Sequence, residues 1–270
     1  MKYAVVLATL SISAFLMNVV TGQSPATFLD HTKVAEAVVK GGVLTSTSDF
    51  RVQGGFRTTP SEVEVHDKET DIIYVTDGEA TYVTGGTMIG GKATAPGQLR
   101  GTSIQGGDAH HLTRGDVIVI PAGTPHWTKE VGTVSFYIVK VLPGVSGVPP
   151  AATYLNHEKV TGCAKAATLL TRPEYSVICY NRSAAGGAEV HAGFTHIWYI
   201  VDGEATLVTS GTVLQSKVDS PGEIRGSAIQ GGETHHLTKG DVIVIPAGIA
   251  HWYKEVTKPV AYYSVNVEKK

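Results

Sequence analysis

The sequence predicts an all-β protein of two tandem barrels, produced by duplication of one unit of roughly 125 residues. Three observations carry this expectation. Long stretches of the chain return at a constant offset. Short apolar runs alternate with Gly-rich and Asp-Gly turn signals. The 270 residues also include 31 glycines and 12 prolines without a collagen-like period, which favours a turn-rich β fold. The length suits two ordinary domains, each able to bury its own core. A formal net charge of -2, 17% charged residues and the lack of any Lys/Arg block argue against a nucleic-acid or anionic-membrane binder.

The chain opens with Met1-Lys2-Tyr3, an apolar stretch from Ala4 to Val20, then Thr21-Gly22-Gln23. One positive charge, an apolar core and small residues at the exit read as a secretory signal peptide over residues 1–22, cleaved after Gly22. The stretch approaches the ~18 apolar residues of a membrane anchor, but no second span or positive stop follows it. The mature protein is therefore expected to be secreted or periplasmic, without stable membrane insertion. No cysteine lies at the exit to carry a lipid. The N-terminal barrel is expected over residues 23–142 and the C-terminal barrel over 152–270. Between them residues 143–151, rich in Pro and Gly, read as a linker.

The repeat is explicit. Ala26-Thr27-Phe28-Leu29-Asp30-His31 returns as Ala152-Thr153-Tyr154-Leu155-Asn156-His157, and Gly115 to Gly123 returns unchanged as Gly240 to Gly248. From His66 to Val131 the offset stays at 125 and roughly three positions in five are identical. Within each copy, Val117-Ile118-Val119-Ile120 reads as a buried strand, as do Ile72–Val75 and Ile197–Val201, each expected to end at the following Asp-Gly. Only Thr32–Val39 and its counterpart near Val160–Leu169 look helical. Cys163 and Cys179, the only cysteines, lie beyond the signal; they either pair, adding about 3 kcal/mol, or stand as two buried thiols.

Gly115-x5-Pro121-x-Gly123-x2-His126 resembles the second signature motif of the cupin superfamily, and Gly240-x5-Pro246-x-Gly248-x2-His251 matches the same pattern. The chain is thereby similar to bicupins, in particular to secreted bacterial cupin-domain proteins. The resemblance implies two double-stranded β-helix (jelly-roll) barrels. The first cupin motif is His-x-His, three or four residues, Glu, six residues, Gly. Counting back from Gly203 puts its ligand positions on Glu189, His191 and His196; counting back from Gly78 puts them on Glu64, His66 and Asp71. The spacing holds while the residue types depart from the family pattern.

What the resemblance implies is a metal centre in the C-terminal barrel on Glu189, His191, His196 and His251, and a weaker one in the N-terminal barrel on Glu64, His66, Asp71 and His126. Glu189 and His191 lie two apart on a strand and share a face. Three imidazoles and a carboxylate suit a divalent transition metal, with Fe or Mn the family's first choice and Zn, Ni, Co and Cu compatible. In the first copy Asp71 is shorter than the family's Glu, and two adjacent carboxylates without a cation would repel.

The His110-His111 and His235-His236 doublets are assigned to the rim, since adjacent strand residues point opposite ways. His31 and His157 are expected to cap or pack. Trp127 and Trp252 are placed opposite the motif His, between layers or barrels. Arg100 and Arg225 are read as structural ion-pair partners, with an anionic substrate as the alternative. The resemblance implies a metal-dependent oxidoreductase, dioxygenase-like, or a related decarboxylase or isomerase, acting on a small organic molecule. The competing readings are a non-catalytic protein that binds a sugar or organic acid, and a storage protein, whose long polar insertions are not visible here. A monomer or small homo-oligomer is expected.

Overall fold

The computed structural model describes residues 25–142 and 149–270; the signal-peptide stretch and linker residues 143–148 lie outside them. The described chain is two barrels of the same plan, each a ten-stranded antiparallel sheet wrapped on itself. The helix His31–Lys40 contains the predicted Thr32–Val39. Asp30 caps it by accepting from the Thr32 and Lys33 backbone N–H groups, and Gly41, at φ 67°, ends it.

Two expectations need correction. The helical reading of Val160–Leu169 holds only for the single turn His157–Thr161, because Ala166–Thr171 is a strand paired with Tyr175–Arg182. The Cys163–Cys179 disulfide, with Cα atoms 6.2 Å apart, ties the segment to that neighbour. Nor do the Asp-Gly signals end their strands. Thr70–Thr84 and Phe194–Thr209 run through Gly78 and Gly203, bending there with shifts of register. Gly78 has φ 75°, and a Cβ on it would lie 1.8 Å from the Thr133 carbonyl oxygen, so the strand can bend and stay paired only with glycine.

The apolar runs are buried on both faces, and alternation assigns each side chain a destination. In Ile72-Ile73-Tyr74-Val75, Ile73 and Val75 fill the N-terminal barrel. Ile72 and Tyr74 join a core shared by both barrels, with Val119, Tyr137 and Val139 meeting Ile197, Tyr199, Val244 and Tyr263. Tyr74 and Tyr199, equivalent in the two copies, have ring centroids 4.9 Å apart. Each fully buried Val or Ile here contributes about 1.5–3 kcal/mol, and the shared core makes the pair of barrels one unit.

The barrels also exchange strands. Thr27–Leu29 pairs with Val242–Ile245 of the C-terminal barrel, and Thr153–Leu155 pairs with Val117–Ile120 of the N-terminal one. A buried aspartate locks each crossing. Asp241 accepts from the His31 backbone N–H at 2.6 Å, and Asp116 accepts from that of His157 at 2.7 Å and from the Tyr154 hydroxyl at 3.0 Å. His31 and His157 therefore dock each helix start onto the opposite barrel. Among the described residues no helix is long and apolar enough to cross a membrane.

Candidate metal centres

Cross-strand pairing assembles each site. In the C-terminal barrel Glu189 and His191 sit on the strand Ala188–His191, whose neighbours place His251 and Arg225 opposite Glu189 and Glu223 opposite His191. His196 follows the turn at Ala192-Gly193, on the strand Phe194–Thr209, directly opposite Asn266. The same alternation that sends Trp198 and Ile200 into the barrel sends His196 there. Directly opposed residues on one face are the closest side-chain neighbours in a sheet.

The three imidazoles converge. Ring centroids of His191, His196 and His251 lie 5.0 to 5.3 Å apart, and one ring nitrogen from each falls within 4.8 Å of the others. Each Nδ1 has an acceptor: the Glu223 carboxylate for His191, Asn266 Oδ1 at 2.9 Å for His196, and the Ile249 carbonyl at 3.3 Å for His251. For His196 and His251, an Nδ1–H donating to its acceptor leaves the Nε2 lone pair free. His196 Nε2 is buried with no hydrogen-bond partner among the described residues. Glu189 Oε2 lies 3.4 Å from His191 Nε2 and 3.9 Å from His251 Nε2, while its other oxygen is held by Arg225.

The electrostatics favour the ligating forms. Burial, reinforced by the neighbouring imidazoles, pushes His196 well below the usual histidine range, and His251 is pushed down to about 4. Burial alone would raise Glu189, but the His191 hydrogen bond and the charges of His251 and Arg225 hold it at about 2. With His196 and His251 held neutral and Glu189 ionised at pH 7, the set offers imidazole lone pairs beside a carboxylate, the donor chemistry a divalent transition metal needs. These residues fit such an ion.

The N-terminal site uses the same register, with Glu64 opposite both His126 and Arg100, and His66 opposite Gln98. Glu64 Oε2 lies 3.3 Å from His66 Nε2 and 3.9 Å from His126 Nε2; Asp71 Oδ2 lies 3.8 Å from both imidazoles, so the short side chain does reach. A cation is already present, however. Lys140, opposite Asp71, places Nζ 2.6 Å from Asp71 Oδ1 and 3.0 Å from Glu69 Oε2. Burial would raise Asp71, but Lys140 and the two histidines keep its carboxyl below the ordinary value. Arg100, 3.2 Å from Glu64, and Arg57, at 3.6 Å, relieve the second carboxylate.

The remaining candidates fall outside the centres. His110 and His235 turn partly inward onto Thr84 and Thr209, while His111 and His236 are exposed. Trp127 and Trp252 donate to the Ser61 and Gly186 carbonyls, so each pins the loop before its ligand strand and does not pack between the barrels. Lys140, Asn266, Glu223, Gln98, Arg57 and Arg182 carry no motif in the sequence. The available signal was the double difference between the copies, Asp71 with Lys140 against His196 with Asn266, which identifies partners only once the strands are paired.

The cavities differ too. The N-terminal one, about 510 Å³, is lined by Arg51, Arg57, Glu69 and Lys140 beside the site residues. The C-terminal one, about 210 Å³, is walled by Tyr180, Phe194, Trp198, Tyr253 and Tyr262.

A family model described as Cupin matches residues 50–143 and 174–270. Curated proteins give no match. Among solved structures, a salicylate 1,2-dioxygenase from Pseudaminobacter salicylatoxidans aligns at TM-score 0.59 and 11% identity over 90% of this chain and 84% of its own. A Cupin 2 conserved barrel domain protein from Leptotrichia buccalis aligns at 0.54 and 11% over 90% and 88%. The 11S globulin procruciferin from Brassica napus aligns at 0.53 and 11% over 90% and 81%. At such identities these likenesses show the fold alone, and the fold hosts both an enzyme and a globulin.

Proposed function

This chain belongs to the cupin family, and from that premise we propose that it is an exported bicupin whose C-terminal barrel holds a divalent transition metal on Glu189, His191, His196 and His251 and works as an oxidoreductase of dioxygenase type on a small organic molecule. The observation that carries this reading is the convergence of one ring nitrogen from each of three histidines, with His196 Nε2 buried and without a partner among the described residues. Such a group is costly as core filling, about 1–3 kcal/mol for an unpaired buried polar atom. Fe or Mn is the first ion to try.

When bound, the ion supplies Lewis acidity and open coordination positions for substrate or oxygen. The protein does the rest. Glu223, Asn266 and the Ile249 carbonyl fix the histidine tautomers, and Arg225 aims Glu189. The aromatic wall excludes water and limits the substrate to a small molecule.

The N-terminal barrel supports a second reading. With Lys140 paired to Asp71, its larger polar cup is suited to binding a sugar or organic acid without turnover. Its Glu64, His66, Asp71 and His126 form the weaker metal set.

Elemental analysis of the untagged mature protein, before and after His251→Ala, tests the proposal. About one metal per chain, lost in the variant, is expected. Metal near zero in the unmodified protein, even after reconstitution, defeats it.

A further inference from the structure

The arginines lining the two cups are nearly all committed to carboxylates. Arg51 donates to both oxygens of Glu69, at 3.0 and 3.1 Å; Arg100 and Arg57 face Glu64; Arg225 pairs with Glu189. Arg182 differs. Among the described residues no carboxylate lies within ion-pair distance of it, because Arg225 already holds the Glu189 oxygen that would answer to Glu64 in the first copy. Its guanidinium carbon instead sits 4.7 Å from the centroid of the Tyr253 ring, half-buried, lining the cavity that contains Glu189, His191, His196 and His251. A guanidinium stays charged at any accessible pH and presents a planar fork matched to a carboxylate.

Arg182 also reaches the Tyr262 hydroxyl, whereas another donor in that cavity has no acceptor among the described residues. Trp198 is 3% exposed, and its Nε1, a donor only, meets no acceptor among the described residues. The walls around it are flat. Trp198 and Tyr253 stack at 5.6 Å, and Tyr180 and Tyr262 stack at 4.8 Å. The first copy has Ile73, Thr128, Gly55 and Phe136 at the same four positions, so three of the four aromatics belong to the C-terminal cup alone.

We infer that Arg182 and Trp198 form the recognition site of the C-terminal cup for a small planar organic acid. The carboxylate pairs with Arg182, the flat body lies along the aromatic wall where Tyr180 and Phe194 are partly exposed, and an acceptor atom meets the Trp198 Nε1–H. Stacking geometry and a cavity of about 210 Å³ favour an aryl or conjugated acid over a bulky polar one. The inference rests on the metal-centre reading for what the cup does with this molecule, but the binding step stands independently of it.

The test is titration of the mature full chain with benzoate, with benzyl alcohol as the uncharged control, in chelator-treated and Mn-loaded samples whose metal content is measured in parallel. Benzoate is expected to bind at least about tenfold tighter than benzyl alcohol, and Arg182→Met to remove that advantage. Metal content and benzyl alcohol binding should not change in the variant. Arg182→Lys should recover part of the affinity, and Trp198→Phe, which keeps a ring and removes the N–H, should weaken benzoate about threefold or more. Arg172→Met, at a residue that lines neither cup, should leave benzoate binding unchanged. Equal affinity for the two probes, tighter binding of glucuronate than benzoate, or loss with Arg57→Met in place of Arg182→Met overturns the inference. Benzoate binding through Arg182 in a chain that never takes up metal would defeat the metal reading and leave this one standing.

Discussion

Replacing Lys140 tests the electrostatic account of the N-terminal cup. Its side chain is 7% exposed and that of Asp71 6%, with 2.6 Å between Nζ and Oδ1. At that separation and an effective dielectric of about 20, their attraction is about 6 kcal/mol before desolvation. Lys140→Met abolishes the attraction and leaves the Asp71 carboxylate buried, while Glu69 keeps its paired contact with Arg51. Breaking a buried pair from one side costs about 3–5 kcal/mol, and the near-complete burial calls for no discount. Urea unfolding at pH 7 in the presence of a chelator should show a loss of that size, with the dependence on urea unchanged. Chelation matters because a bound cation would stand in for the missing ammonium. Adding Asp71→Asn to the same chain removes the stranded charge and should recover most of the loss. A Lys140→Met penalty below about 1 kcal/mol, or a double variant no better than the single one, would refute the argument, because the pair would then behave as a solvated surface contact.

Asn266→Leu removes the acceptor that orients His196 and should weaken metal binding about 10- to 100-fold, read by competition with a chelator of known affinity. The Asp116 carboxyl would be raised by burial, but hydrogen bonds from the Thr113 and His157 backbone and the Tyr154 hydroxyl hold it below its ordinary value. A depressed folded value means stabilisation that is complete above about pH 4 and lost as pH falls through the folded pKa. Asp116→Asn should therefore cost about 2 kcal/mol at pH 7 and flatten the acid limb of a pH-dependent melting curve. Gly54→Ala places a Cβ 2.3 Å from the Val38 backbone nitrogen, where helix and sheet pack, and should cost about 2–3 kcal/mol or more in thermal unfolding. Replacing both Cys163 and Cys179 by Ala should lower stability by about 3 kcal/mol, measured against the oxidised protein in urea.

Much of the architecture was legible in the one-dimensional pattern because duplication prints it twice. The apolar runs Val117–Ile120 and Val242–Ile245 are buried in both copies, and a strand's two-residue period puts Glu189 with His191, and Glu64 with His66, on one face whatever the rest of the chain does. The motif histidines could be named for the same reason: their positions depend on local turns that Pro and Gly enforce. The Asp-Gly corners were misjudged because a glycine at positive φ ends a short hairpin strand and bends a long one with the same local geometry, and only the partner strand decides which.

What the tertiary structure alone decided is which side chains stand opposite one another. Lys140 meets Asp71, Asn266 meets His196, and Glu223 meets His191 across separations of 32 to 70 residues. The exchange of Thr27–Leu29 and Thr153–Leu155 between barrels is likewise invisible locally, since both strands have the same pattern whichever sheet they join. Periodicity sets the face a residue presents. Register sets its neighbour, and register is a property of the closed barrel, where one-residue slips would turn every buried side chain outward. The chemistry of the two cups diverged through those neighbours: one pairs its third ligand position with an ammonium, the other with an amide that leaves a lone pair free.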